Sequence, residues 1–399
     1  MLFRAQPQRR TTDAYAPTVR GGRIAKLGQA LAVVAVGACA AAWLIGRVLS
    51  DRYSWSQPIS WIPTPFLAVP IWMALVGAAT RELQRRAVVK PLEGRGPLAS
   101  FLAPAGGVAL LVLTGATAWH MAFVELGLHR AATTGGPEGP GAAVRDGGEA
   151  TRIVFWNQAS ADVGPIAPAF LAVEPTVLVL ANRHSRTATR DLAQAFIDTG
   201  DAYAAVGWPF DLFARLPVRR WASTSLELDG RSRQRDGSLR EDPGWAAFYQ
   251  LDAGAGTLTI WVIDLPSDPR ASRMSLARRA GGAIASWQGA TRVIHPDEGQ
   301  WIERSDALGF PTPDVIVGDF NIPRGSASLR VFLESAGAAG MRDAFEEAGW
   351  GWKRTWPRQF PAWAIDQCFV GARVGAARFQ TLDPGFGGHR ALVVEVQGP

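Results

Sequence analysis

The chain has 399 residues, 48% of them hydrophobic and 19% charged, with a formal net charge of +6. That length can bury a full globular core, and the apolar share leaves sequence over for a bilayer. The charge is segregated: residues 1–130 carry 14 Lys and Arg against 5 Asp and Glu, whereas residues 131–399 carry 27 against 30. The C-terminal part, at −3, lacks the broad basic footprint of a nonspecific nucleic-acid binder, and the two cysteines, Cys39 and Cys368, argue against a disulfide framework or thiol chemistry.

From Leu27 to Gly46 run twenty uncharged, mostly apolar residues, about what a helix needs to cross a ~30 Å hydrocarbon layer. Further uncharged stretches cover Tyr53–Thr80 and Pro97–Val124, with Pro63, Pro65, Pro70 and Pro104 blurring their helix limits. Three transmembrane helices are therefore expected within residues 27–125. A cleaved signal peptide is disfavoured by the length of the first apolar run and by the two that follow. Basic residues cluster before the first span (Arg4 to Lys26) and between the second and third (Arg81 to Arg95). Those flanks belong on the cytoplasmic side. A cytoplasmic N-terminus of residues 1–26 then leaves the C-terminal domain extracytoplasmic, periplasmic in a bacterium. A transporter is disfavoured, since the spans hold no carboxylate in their interior. Residues 126–150, rich in Gly and Pro, read as a tether.

In residues 151–399 short apolar runs of strand length alternate with helical segments. Strands are expected at Ile153–Trp156, Val177–Leu180, Leu258–Ile263, Val315–Val317, Ile365–Val370 and Ala391–Val396, and helices at Ala188–Thr199, Arg273–Trp287 and Ser326–Ala336. Arg231–Asp242 and His295–Arg304 read as surface loops. Strands apolar at nearly every position suit buried sheets covered by helices, an α/β fold. Trp208, Trp221, Trp245, Trp350, Trp352 and Trp363 are expected to be mostly core.

Val315-Ile316-Val317-Gly318-Asp319-Phe320-Asn321 ends an apolar strand in a carboxylate and a carboxamide two residues apart. A turn capped by Asp and Asn is the plain structural alternative. Three further segments bear on it: Ile153 to Asn157; Thr355-Trp356-Pro357 with Ala364-Ile365-Asp366-Gln367; and Gly388-His389-Arg390 before a last strand. In this order the four segments resemble the endonuclease/exonuclease/phosphatase superfamily, with its deoxyribonuclease/AP-endonuclease-like fold. The resemblance implies two packed β-sheets flanked by helices, a four-layer α/β/β/α sandwich, and a metal-dependent phosphoesterase. It also implies roles: Asp319 orients or deprotonates the attacking water, Asn157 and Asn321 hold phosphate or metal-bound oxygens, and His389 with Asp366 serves as cationic stabiliser or acid/base.

The sequence departs from that pattern at three places. Asn182 stands where the family has a metal-binding Glu, Asp264 where it has a His, and Gly388 where it has an acidic residue. Two readings follow. Asp264 restores the lost charge, and Asp264, Asp319 and Asn182 hold a divalent metal, Mg²⁺ or Mn²⁺; or the site has decayed and the fold persists as a binding module at the envelope. On the first reading the substrate is a phosphoester of a nucleic acid, a phospholipid or a small molecule, and the bilayer is the other partner.

Overall fold

The computed structural model describes residues 20–87, 97–133, 150–159, 167–182, 186–200, 202–207, 209–233, 238–254, 256–294 and 301–398. Most of the tether lies outside these residues, as do the first 19 positions, the basic segment 88–96 and Trp208.

The N-terminal part is helical: α1 (Arg20–Leu49), the one-turn α2 (Gln57–Ser60), α3 (Thr64–Ala87) and α4 (Pro97–Trp119), which runs on through a π-helical turn at His120–Glu125 to α5 (Leu128–Thr133). α3 packs against both α1 and α4, while Leu31, Val34, Met73 and Leu111 stay exposed. Two stretches have the length and hydropathy to cross a membrane, Leu27–Leu49 at mean hydropathy 2.0 and Gly106–Glu125 at 1.6. The expected middle span falls short of that measure. Tyr53–Thr80 breaks between α2 and α3, and the apolar part of α3 covers only Thr64–Thr80 before Arg81, below the ~20 residues of a full crossing.

The C-terminal domain contains β1 (Thr151–Asn157), α6 (Ala167–Leu171), β2 (Val177–Ala181), α7 (Arg186–Asp198), β3 (Tyr203–Gly207), β4 (Phe210–Ala214) and β5 (Val218–Ser225). After these come β6 (Gly230–Arg233), β7 (Leu239–Asp242), β8 (Trp245–Asp252), β9 (Thr257–Asp264), α8 (Arg273–Ala285), β10 (Gln288–Ile294) and β11 (Trp301–Leu308). The last third holds β12 (Val315–Asp319), α9 (Ala327–Ser335), β13 (Arg342–Asp343), α10 (Ala344–Ala348), β14 (Asp366–Val370), β15 (Gly375–Leu382) and β16 (Ala391–Gln397). One sheet has the order β15-β16-β1-β2-β4-β3 and the other β11-β10-β5-β8-β9-β12-β14-β13.

The six expected strands and three expected helices all form, within a few residues of their expected limits. Arg231–Asp242, expected to be a loop, carries the β6–β7 hairpin, and residues 301–304 of the second expected loop open β11. These polar strands lack the apolar run on which strands were recognised. Between the two sheets lies an apolar core that includes Phe155, Val179, Leu212, Tyr249, Val262, Val317 and Val394. A second core packs α8 and α9 on the outer face of one sheet, and a third packs α6 and α7 on the other. Hence β1, β2 and β12 are buried on both faces, which is why their sequences run apolar without alternation.

The helical part is docked on the domain. The N-cap residue of α9, Ser326, makes no side-chain cap; instead Ala327 N donates to Ser50 Oγ (3.0 Å) and Ser328 N to Asp51 Oδ1 (3.1 Å). Free N–H groups at a helix start need acceptors, and here the α1–α2 connection supplies them. The buried Gln57 donates to the carbonyls of Pro269 (2.8 Å) and Ala271 (3.1 Å) and accepts from Arg273 N (2.9 Å). Beyond α4, Glu125 gathers Thr64, Arg47, His120 and, from the domain, Arg354. Both the α1–α3 connection and the end of α4 therefore touch the domain, so α1 runs toward it, α3 away and α4 back.

Candidate active site

The polar residues named above gather at one end of the two sheets. Asn157, Asp264 and Asp319 are the last residues of β1, β9 and β12, Asn182 follows β2, and Asp366 opens the antiparallel β14. β12 pairs in parallel with β9 and antiparallel with β14, in a register that sets Asp319 opposite both Asp264 and Asp366. Three carboxylates thus stand in one row across three strands spaced about 4.8 Å apart, and all are buried. Gly318 is required at its place: a Cβ there would lie 2.0 Å from the Ile263 carbonyl oxygen.

The side chains form a connected network. Asn157 Nδ2 donates to Asp319 Oδ2 (2.8 Å), and Asn182 Nδ2 donates to Asp264 Oδ2 (2.9 Å) and to Asn157 Oδ1 (3.3 Å). Asn321 N donates to Asp319 Oδ1 (2.8 Å), and Asn321 Nδ2 to the Leu265 carbonyl (2.7 Å). The capped turn foreseen as the plain alternative is therefore present, yet it uses only one oxygen of Asp319. Asn182 and Asn321 both adopt positive φ, 52° and 48°, a region that asparagine enters more readily than most side chains. His389 Nδ1 lies 2.8 Å from Asp366 Oδ2, and its Nε2 lies 3.8 Å from Asp319 Oδ2.

Burial sets the electrostatics. Burial and the Asp366 charge push Asp319 up to about 7, against the opposing pull of His389, Asn321 N and Asn157. Burial, with the charges of Asp319 and Asp242, raises Asp264 well above the usual carboxylate range, although the Asn182 hydrogen bond opposes this. For His389, burial alone would lower the value, but Asp366, Asp319 and Asp264 outweigh it and raise it to about 9, so the ring is an imidazolium at neutral pH. The row and its histidine set three buried acidic side chains around one imidazolium. Buried Arg273 adds positive potential from beyond ion-pair distance, its guanidinium bonded to the Pro266 and Asp268 carbonyls.

A hard divalent cation fits this donor set. The candidate ligands are oxygen atoms, and Asp366 Oδ1 is buried without a hydrogen-bond partner. One ligand atom each from Asp319, Asp366 and His389 also falls within a 4.8 Å cluster. His389 Nδ1 is already engaged by Asp366, and a protonated ring offers no lone pair. The ligands expected from the sequence, Asp264, Asp319 and Asn182, lie along the other edge of the network, with Asn182 Nδ2 turned toward Asp264.

Sequence reasoning missed several members of the site. Gln158, whose Oε1 is buried without a partner, follows Asn157, and Thr355 accepts from Asp366 N (3.4 Å). Trp156 Nε1 holds the His389 carbonyl (3.2 Å). The sequence marked Thr355 and Trp156 only as members of motifs, and Arg273 only as the start of a helix. At Gly388 a Cβ would lie 3.3 Å from that of Ala159, so the acidic residue usual at that place would be crowded. Of the tryptophans expected in the core, Trp221 is buried, whereas Trp245, Trp350, Trp352 and Trp363 keep part of their surface accessible.

Residues 103–386 match the model of the endonuclease/exonuclease/phosphatase family. The chain belongs to that family. Solved structures that it resembles include an endonuclease/exonuclease/phosphatase family protein of Bacteroides thetaiotaomicron, at 13% identity and TM-score 0.44, covering 63% of this chain and 98% of that one. Others are a mannosyl-6-phosphatase of the same species (14%, 0.43, covering 62% and 99%) and the D. rerio TDP2 complex with a single-strand DNA product (13%, 0.42, covering 62% and 99%). No curated protein matches the chain.

Proposed function

We propose that this protein is a membrane-anchored, extracytoplasmic phosphoesterase that depends on a divalent metal, Mg²⁺ or Mn²⁺. The carrying observation is the buried row Asp264–Asp319–Asp366 beside an imidazolium. Asp264, Asp319 and Asn182 would hold the metal, which when bound polarises a phosphoryl oxygen. Asn157 holds Asp319 through its amide, so that the carboxylate orients the attacking water and accepts its proton. As the water oxygen bonds to phosphorus, the ester P–O bond breaks, and His389, oriented by Asp366, gives its Nε2 proton to the leaving oxygen. Asn321 ties the turn after Asp319 to the loop after Asp264 and keeps the two carboxylates in register.

Chain connectivity supports the anchoring. α1 and α4 both end against the domain, so if both cross the bilayer, α3 must carry the chain back. The basic flanks then put the N-terminus in the cytoplasm and the domain outside. A reporter fused after Pro399 should behave as extracytoplasmic, and a cytoplasmic signal would overturn the topology. For the chemistry, full-length protein in detergent should hydrolyse bis-(p-nitrophenyl) phosphate with Mg²⁺ or Mn²⁺ and stop in EDTA. A second reading, a non-catalytic binding module, draws on the amide at Asn182 and on Gly388 in place of acidic residues; an inert protein that still binds metal would favour it.

A further inference from the structure

The loops that border the site are the same loops that touch the helical part. After Asp264 the chain reaches Pro269, Ala271 and Arg273, which the buried Gln57 grips. On the other side, segment 352–363 is a wall shared by the site and the helices. Toward the site, Arg358 N donates to the Gly388 carbonyl (2.8 Å) and Arg390 N to the Thr355 carbonyl (2.9 Å), on either side of His389. Toward the helices, Trp363 Nε1 donates to the Trp61 carbonyl (2.8 Å), Arg354 meets Glu125, and the Phe360 ring lies 6.5 Å from that of Phe66. The helical part therefore docks on the catalytic end of the sandwich and not on the opposite end.

Phe66 sits in the first turn of α3, at the start of that helix's apolar part. Phe360 is 66% exposed beside it, and Trp356 and Phe386, on the two segments that flank His389, are 40% and 39% exposed. On the α1–α2 connection the stacked pair Tyr53 and Trp55 is also more than half exposed. Aromatic side chains at the ends of membrane helices take the level of the lipid headgroups, and large exposed rings grouped together mark a contact surface. Arg390, next to His389, has no carboxylate within ion-pair distance among the described residues, its Nε being bonded to the Arg358 carbonyl. A cation and apolar rings at headgroup level, beside a phosphoester site, match one ligand: a phosphodiester attached to acyl chains.

We infer that the substrate is a phospholipid phosphodiester of the leaflet on the domain's side of the membrane, drawn from the bilayer past Phe360, Trp356 and Phe386, with Arg390 on its phosphate. The inference rests on the phosphoesterase reading and narrows it. Hydrolysis forms a bond from the water oxygen to phosphorus and breaks the bond to the headgroup or glycerol oxygen, which leaves with a proton.

The test uses full-length protein reconstituted with divalent metal in vesicles of dioleoyl phosphatidylglycerol, phosphatidylethanolamine and phosphatidylcholine, with release of phosphorylated or free headgroup as the readout. The dibutyroyl forms of the same lipids, soluble in water, are the control. The vesicle lipid should turn over about tenfold faster than its soluble counterpart at equal bulk concentration, the factor expected from partly burying one large ring. Phe360→Asp should bring that ratio toward one. Equal or faster turnover of the soluble lipid, a ratio unmoved by Phe360→Asp, or activity confined to bis-(p-nitrophenyl) phosphate overturns the lipid substrate and leaves the phosphoesterase standing. No hydrolysis of any of these esters overturns both.

Discussion

Strand β12 is bracketed by two buried acids, Asp314 just before it and Asp319 as its last residue, and the two ends are treated differently. At the start, Asp314 is neutralised: Arg373 donates to its two oxygens at 2.8 and 2.6 Å, and Thr259 N adds a third bond at 2.8 Å. At the finish, Asp319 accepts hydrogen bonds from Asn157 and the backbone of Asn321, has His389 Nε2 3.8 Å away, and faces two more acidic side chains. Burying several acids around one shared cation is costly, so a fold seeking stability alone would build both ends like the first. On the proposed mechanism the asymmetry separates a structural acid from a working one, and a divalent cation at the second end would favour ionisation of the acids whose pKa values burial raises.

The largest effect should follow from removing Asp319, the proposed base. Asp319→Asn is expected to lower phosphoester turnover roughly a thousandfold, within the usual range for a positioned acid or base, while the melting temperature holds or rises because a buried charge has gone. Wild-type turnover in the variant would remove Asp319 from the mechanism. Next comes the metal. Mg²⁺ or Mn²⁺ at a hundred times its Kd should stabilise the full-length protein by about 2.7 kcal/mol, and Asp264→Asn should erase that gain. An undiminished gain in Asp264→Asn would place the metal elsewhere.

The comparison also has a pH signature in metal-free protein. A group whose folded pKa exceeds its unfolded value stabilises the fold fully below the unfolded value and loses that contribution as pH rises through the folded one. For Asp319 the loss runs from about 4, the ordinary aspartate value, to about 7. For His389 it runs from about 6.5 to about 9. Asp264 acts in the same direction. Denaturation in EDTA should therefore show stability falling between about pH 4 and 9, with bound metal flattening the acidic half of the slope. A stability that rises across this range would contradict the charge imbalance.

At the other end of β12, Arg373→Ala strands Asp314 without its cation. The side chain of Arg373 is more than half exposed, so the cost is set at about 2 kcal/mol, below that of a fully buried pair. Urea denaturation would register it, with turnover per folded molecule unchanged. Lost activity in this variant would mean that the two ends are coupled.

How much of this was legible in the sequence depends on the range of the interaction. Asp319, Asn157, Asp366 and His389 sit in short segments whose local pattern, an apolar strand ending in a polar residue, survives in the fold, and the structure joins them by direct hydrogen bonds. The pairing of Asn182 with Asp264 joins strands in different sheets. No periodicity announces such a contact, although the simultaneous departures at both positions hinted at it. Docking of residues 50–63 on the domain was illegible, because Ser50, Asp51 and Gln57 look like ordinary loop residues until their partners more than two hundred positions away come into view. The second apolar stretch misled by composition, since a turn divides it between α2 and α3 and leaves α3 an apolar part of only Thr64–Thr80.

The smallest effect tests that docking. Asp51→Ala removes the acceptor that serves Ser328 N and Ser328 Oγ at a helix whose own N-cap residue contributes nothing from its side chain. Loss of an N-cap costs about 1 kcal/mol, and the melting temperature should drop by only a few degrees. If the helical part merely tethers the domain, the variant should lose that stability and nothing more. If it orients the catalytic end toward the bilayer, turnover of vesicle lipid should fall more than turnover of the soluble dibutyroyl ester, because the row of carboxylates is untouched while its distance from the membrane is no longer held. A parallel fall of both activities would mean that Asp51 supports the fold of the site itself, through α9, and not its position over the leaflet.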